Sequence, residues 1–174
     1  MSQSKYALTF IDYFSMYCWV YFLKHNSEVF DLFKILRSDN GGEYVKYEFI
    51  QYCKYAGIQM QHSIPYTPQQ NGVAEIKNRS LKEMATCMME DKTLSPKFWT
   101  EAIKCASYIH NRVHHKQLYG MIPFKPWNGH KPDATHFRIF GSKAWARIPT
   151  EKRKALQPQS QECLFFGYSK YSKG

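Results

Sequence analysis

Three short stretches in the first half of the chain carry the pattern of strands. Residues 6–10 and 19–23 are strand-like apolar runs, and residues 58–64 alternate between apolar and polar side chains with His62 in an apolar place, a pattern that puts successive side chains on opposite faces. Asp12-Tyr13-Phe14-Ser15 lies between the first two runs and predicts an antiparallel hairpin with a loop of four or five residues. Ile35-Leu36 begins a fourth strand, which ends at Asp39 and opens into the turn Asn40-Gly41-Gly42.

Helical periodicity fills the intervals. Ser27 is placed to cap a short helix with Val29, Phe30 and Phe33 on its apolar side. Residues 48–55 form a second helix with Phe49, Tyr52 and Cys53 inward and Gly57 at its C-terminal cap. The loop from Pro65 to Gly72 precedes a long helix over residues 73–90, whose core face is read as Ile76, Leu81, Met84, Ala85 and Met88. Ser95-Pro96 opens another helix, with Phe98, Ala102, Cys105, Ala106 and Ile109 as a buried stripe. Residues 123–132, rich in Pro and Gly, read as a linker or turn-rich cover, and strands follow over 137–141, 144–148 and 163–168. Strands interleaved with helices predict an α/β domain followed by a small β tail.

Composition narrows the class. A chain of 174 residues is long enough for one sizeable core. With 24 Lys and Arg against 14 Asp and Glu, the net charge of +10 favours a polyanionic partner over a merely soluble basic protein. The five cysteines form no C-x-x-C pair and read as thiols, with neither a disulfide frame nor a zinc site indicated. No apolar run approaches the roughly 18 residues of a membrane span, and residues 1–5 do not resemble a signal peptide, so no membrane partner is expected. His110, His114 and His115 lack a nearby carboxylate or thiol to complete a metal site and read as solvated or phosphate-adjacent. Lys152-Arg153-Lys154 reads as a solvated basic turn in preference to a nuclear-targeting segment.

Candidate chemistry gathers between Arg37 and Arg79. Glu75, Asn78, Arg79 and Lys82 stand at i, i+3, i+4 and i+7 and share one helix face, with Lys77 at its edge. Such a stripe on an arbitrary helix is usually a solvated surface with i,i+4 ion pairs. Close to Asp39 and the Gln-rich loop, the same face suits phosphate contact.

The segments Arg37-Ser38-Asp39-Asn40-Gly41-Gly42-Glu43-Tyr44 and Pro65-Tyr66-Thr67-Pro68-Gln69-Gln70-Asn71-Gly72-Val73-Ala74-Glu75 resemble the catalytic core of copia-type retrotransposon integrases. The resemblance covers nearly the whole chain. It implies an RNase H-like core, a mixed sheet flanked by helices, over residues 1–122. A linker over 123–133 and a partial SH3-like β module over 134–174 follow. It also implies a metal-dependent polynucleotidyl transferase of DNA integration, with Asp39 and Glu75 as catalytic ligands of Mg²⁺ or Mn²⁺. Gln69, Gln70, Lys77, Asn78, Arg79 and Lys82 are then the contacts to DNA, both element ends and target duplex. Family members oligomerise on DNA, and a functional copy would work in the nucleus.

Two departures from the family pattern appear. Three acids usually hold the ions, and the first sits on a strand preceding the one at residues 6–10, where only residues 1–5 remain. The segment before Ile35 is also shorter than in the family. Asp12 is therefore read as a turn residue at a strand end. The chain is expected to be truncated and catalytically defective, the alternatives being a non-catalytic DNA-binding relic or a protein-interaction module that docks through its aromatic tail.

Overall fold

The computed structural model describes residues 4, 6–23, 35–38, 47–55, 59–62, 68–116, 120–154 and 156–169. These fall into two compact units, one of residues 1–11 and 19–80, the other of residues 12–18 and 81–174. The expected helix at Ser27, the turn from Asp39 to Gly42 and the C-cap at Gly57 lie outside the described residues.

In the first unit, β1 (Tyr6–Ile11) pairs with β2 (Cys18–Leu23). Phe10, buried, meets the Tyr21 ring edge-on at 5.6 Å. β3 (Ile35–Ser38) and β4 (Gln59–His62) pair in parallel, with Ile35 opposite Gln59 and Ser38 opposite His62. Parallel neighbours need a long crossover, and α1 (Tyr47–Tyr55) lies in it. Among the described residues, β1–β2 and β3–β4 remain separate two-stranded sheets, and no strand joins β1 to β3.

α2 (Pro68–Asp91) belongs to both units. It begins earlier than the composition of residues 65–72 suggests. Proline fits the first helical turn, where its missing N–H would have had no partner, and Gln69 and Gln70 are good helix formers. Asn71-Gly72 weakens the turn by about 1 kcal/mol without stopping it. Leu81 and Ala85 of the expected core face are buried, but Lys77 takes the place expected of Ile76. Lys77 (4% exposed), Leu81 (2%) and Ala85 (3%) are buried, whereas Ile76 is 44% exposed. Residues 77, 81 and 85 are successive i+4 steps, so once Leu81 and Ala85 face inward, helix geometry turns Lys77 inward and Ile76 outward.

In the second unit, a 3-10 turn (Pro96–Phe98) leads into α3 (Trp99–His110). Ser95 caps that turn without a side-chain hydrogen bond. Ala102, Cys105 and Ala106 are fully buried, and their small size lets the chain beyond residue 164 approach α3 closely. Phe166 stacks on Phe98 at 4.4 Å and Tyr168 on Tyr108 at 4.2 Å. Burial pushes the Cys105 thiol up to about 11, which leaves it a protonated packing group.

The tail contains two paired strands, β5 (Lys143–Arg147) and β6 (Ser160–Leu164), antiparallel with Trp145 opposite Glu162. Residues 163–168 are therefore not one strand. The ladder closes with the bonds Gly141 N–H to Phe165 O and Phe165 N–H to Ser142 O, after which the aromatic residues turn onto α3. Nor do residues 137–141 form a strand. The Tyr168 hydroxyl takes both backbone groups of Arg138, accepting from its N–H and donating to its carbonyl, and Gly141 turns the chain at φ +73°. A Cβ at Gly141 would lie 2.8 Å from Lys92 Cγ, so only glycine fits. Residues 123–132, read as linker or cover, contain a short helix, α4 (Phe124–Asn128), closed by Gly129 in the left-handed conformation.

Candidate nucleic-acid interface

On α2, the residues singled out by their spacing separate into two groups. Glu75, Asn78, Arg79 and Lys82 are all exposed and lie on one face of the helix. Among the described residues Glu75 forms no ion pair with Arg79 or Lys82; the ion pairs seen are Lys92 with Asp91 and Lys143 with Glu162, each at 2.8 Å. The i,i+4 bridging that would make this stripe an ordinary solvated surface is absent there. Lys77 is the exception in the set. It is buried on the inward stripe and has interactions of its own, so it does not share the exposed face. Gln69 and Gln70 lie in the first turn of α2 instead of in a loop.

Asp39 lies outside the described residues; β3 ends one residue before it, at Ser38. Among the described residues no group of three His, Cys, Asp or Glu side chains comes together to hold a metal ion. The exposed Glu75 carboxylate, with no ion pair to either neighbouring cation of its face, fits the oxygen donor that a hard divalent cation takes.

Asp12 is occupied elsewhere. Its Oδ2 accepts hydrogen bonds from Ser15 N–H at 2.8 Å and Ser15 Oγ at 2.5 Å, its carbonyl accepts from Met16 N–H, and its own N–H donates to Tyr17 O. This is the turn role expected of it. His114 is exposed, as the solvated reading expects, whereas His110 departs from it. His110 is 7% exposed and lies 4.1 Å from the His115 ring, while His115 Nε2 bonds the His110 carbonyl at 2.8 Å and His114 Nδ1 bonds the Gly120 carbonyl.

Ser107 and Asn111 escaped the reading of the sequence, and both organise the hairpin loop. Asn111 Oδ1 accepts from Cys18 N–H at 2.9 Å and Asn111 Nδ2 donates to the Cys18 carbonyl at 2.7 Å. The amide thus supplies both bonds that a neighbouring strand would supply. Ser107 Oγ lies 3.5 Å from Cys18 Sγ. Tyr17, next in the chain, stacks on Trp127 at 5.7 Å. Burial raises the Tyr17 hydroxyl above the usual phenol range, against the opposing pull of the Arg112 guanidinium.

The comparisons with known proteins decide the family. Over 97% of its length the chain is 39% identical to a retrovirus-related Pol polyprotein from transposon TNT 1-94 of Nicotiana tabacum, of which it spans 14%. Over 95% it is 31% identical to the counterpart from transposon RE2 of Arabidopsis thaliana, spanning 12% of that protein. The chain is related, over nearly its whole length, to a segment of the retrovirus-related Pol polyproteins of plant transposons. The retroviral polymerase SH3-like domain family matches residues 142–174, where β5 and β6 lie. Among solved structures, the fold is similar to a simian T-cell lymphotropic virus intasome in complex with PP2A regulatory subunit B56 gamma. That likeness has a TM-score of 0.55 at 19% identity and covers 87% of this chain and 58% of that one. It is also similar to the HTLV-2 integrase catalytic core domain in complex with magnesium, with a TM-score of 0.52 at 17% identity, covering 68% of this chain and 82% of that one. The fold is accordingly α/β and similar to that of integrase catalytic core domains, with a small β tail where the SH3-like family matches.

Proposed function

We propose that this integrase-like region binds duplex DNA along the exposed face of α2, and that the 174-residue chain by itself does not join DNA strands. The observation that carries the first part is the exposure of Arg79 and Lys82, neither paired with Glu75 on the same face. Cations in that arrangement are free to exchange counterions for backbone phosphates, with Asn78 on the same face as a neutral hydrogen-bonding group. Lys77, being buried, is left out of the set. Gln69 and Gln70, in the first turn of the same helix, belong to the proposed set of DNA contacts.

Asp39 and Glu75 would hold Mg²⁺ or Mn²⁺, hard cations that take carboxylate and water oxygens. When bound, such ions supply activation of an attacking oxygen and stabilisation of a leaving one. The chain's own part is to hold the two carboxylates at fixed positions, one following β3 and one on α2. Element ends and target duplex are the DNA this site would receive, and oligomerisation on DNA belongs to the same proposal.

The second part is supported by the sheets. With β1–β2 and β3–β4 separate among the described residues, the strand leading to Asp39 is bonded on the β4 side only, and a two-metal site depends on ligands held rigidly in register. Asp12 does not supply the third acid, because its carboxylate is committed to Ser15.

A gel assay with pre-processed DNA ends and Mn²⁺ tests this. The expected outcome is no joined product from the parent or from Asp12→Asn. Joined product from both would refute the proposed defect, and product lost in Asp12→Asn would in addition make Asp12 a ligand.

A further inference from the structure

The tip of the β1–β2 hairpin is built with more care than a connection requires. Asp12 and Ser15 lock the turn through two hydrogen bonds, Ser15 is completely buried, and Met16 is held at φ +57°, a conformation that side chains with a Cβ seldom adopt. Asn111, at the C-cap of α3, clamps Cys18, two residues further on. This rigid turn displays two aromatic rings to solvent, Phe14 at 83% exposure and Tyr13 at 58%.

The hairpin tip continues into a second aromatic group. Tyr17 stacks on Trp127, whose interplanar angle to it is 27° and which is itself 49% exposed, and Tyr17 also meets Phe124 at 6.5 Å. The Arg112 guanidinium sits over the Phe124 ring at 4.5 Å. Residues 111–132, which contain this group, carry Arg112, Lys116, Lys125 and Lys131 and no Asp or Glu, and Lys125 and Lys131 are exposed. Exposed aromatic rings on a rigid turn, together with Trp127 and an Arg112-capped Phe124 in a segment that carries four cations and no acid, match a ligand that is at once aromatic and polyanionic.

We infer that the hairpin tip, with Trp127 and the cations of residues 111–132, is a stacking platform for unpaired nucleotides. Bases stack on Phe14 and the exposed part of Trp127, while Lys125 and Lys131 meet the backbone phosphates. Every base has a π-face, so the platform accepts single strands without strict sequence preference. The inference rests on the proposal that this chain binds nucleic acid, but it uses a different surface from α2 and a different form of the ligand.

Fluorescence anisotropy with a short labelled oligothymidylate and, separately, a short duplex tests it on the full chain, using Phe14→Ser and Phe14→Tyr. Because Phe14 is exposed, neither change should alter the thermal midpoint. Phe14→Ser is expected to weaken oligothymidylate binding roughly tenfold, Phe14→Tyr to restore it, and duplex binding to stay within about twofold. The inference is overturned if the parent fails to bind oligothymidylate, if Phe14→Ser binds it as the parent does, or if both ligands weaken equally. It is also overturned if Phe14→Ser splits a dimer of the parent while oligothymidylate affinity is unchanged, since the tip would then join two copies of the chain. Failure of the duplex arm alone in the parent would count against the α2 reading, and the oligothymidylate arm would still decide this one.

Discussion

Replacing Asn111 with Leu is expected to destabilise the chain by about 2–4 kcal/mol, although Leu has the same side-chain branching and heavy-atom count as Asn and suits a buried position. The Asn111 amide bonds both backbone groups of Cys18, which is 2% exposed. Its loss removes one hydrogen bond from a buried N–H and one from a buried carbonyl, which Ser107 Oγ also approaches at 3.4 Å. Each buried group left unsatisfied costs about 1–3 kcal/mol. Asn111→Asp is expected to be at least as damaging, because a carboxylate can still accept from Cys18 N–H but faces the Cys18 carbonyl with a second acceptor and a buried charge. Denaturant melts followed by circular dichroism measure both. A loss below about 0.5 kcal/mol for Asn111→Leu would mean that the clamp contributes nothing.

Asp39→Asn is expected to remove whatever binding of Mn²⁺ the chain possesses. Two matched carboxylates make a weak site, since divalent affinity rises with the number of charged oxygen ligands. Halving the charge of that set takes away the dominant attraction, whereas the amide oxygen that remains is neutral. Titration calorimetry on parent and variant gives the answer directly. Equal Mn²⁺ affinity in the two would show that Asp39 is not a ligand.

Much of the fold was legible because period-two and helical patterns survive in the sequence wherever an element buries one face. The hairpin was readable from its two runs and from Asp12, whose turn bonds follow from a short acceptor side chain at a strand end. On the core face of α2, Leu81 and Ala85 were read correctly and Ile76 was not, since Ile76 looks like core and Lys77 does not; the i+4 steps from Lys77 to Leu81 and Ala85 outweigh the character of either side chain. The start of α2 was hidden by Pro68, which punctuates loops but also opens helices. Residues 137–141 have the composition of a strand, yet their backbone groups go to the Tyr168 hydroxyl and to a turn at Gly141, partners distant in sequence.

Of the candidate site, the shared face of Glu75, Asn78, Arg79 and Lys82 followed from spacing alone. The clamp did not. Ser107 and Asn111 stand four residues apart beside the apolar stripe of α3, and two small polar residues at that spacing were the one available sign of a buried hydrogen-bonding pair. Nothing in the local pattern reveals that their partner is Cys18, nearly a hundred residues earlier in the chain.

The central claim is that the exposed cations of α2 contact DNA phosphates, and a salt series of duplex binding tests it most directly. With Arg79 and Lys82 both replaced by Ala, affinity for every duplex sequence should fall by a similar factor, and the slope of log affinity against log salt should flatten by roughly two counterion units. A slope equal to that of the parent would return this face of α2 to solvent and contradict the account.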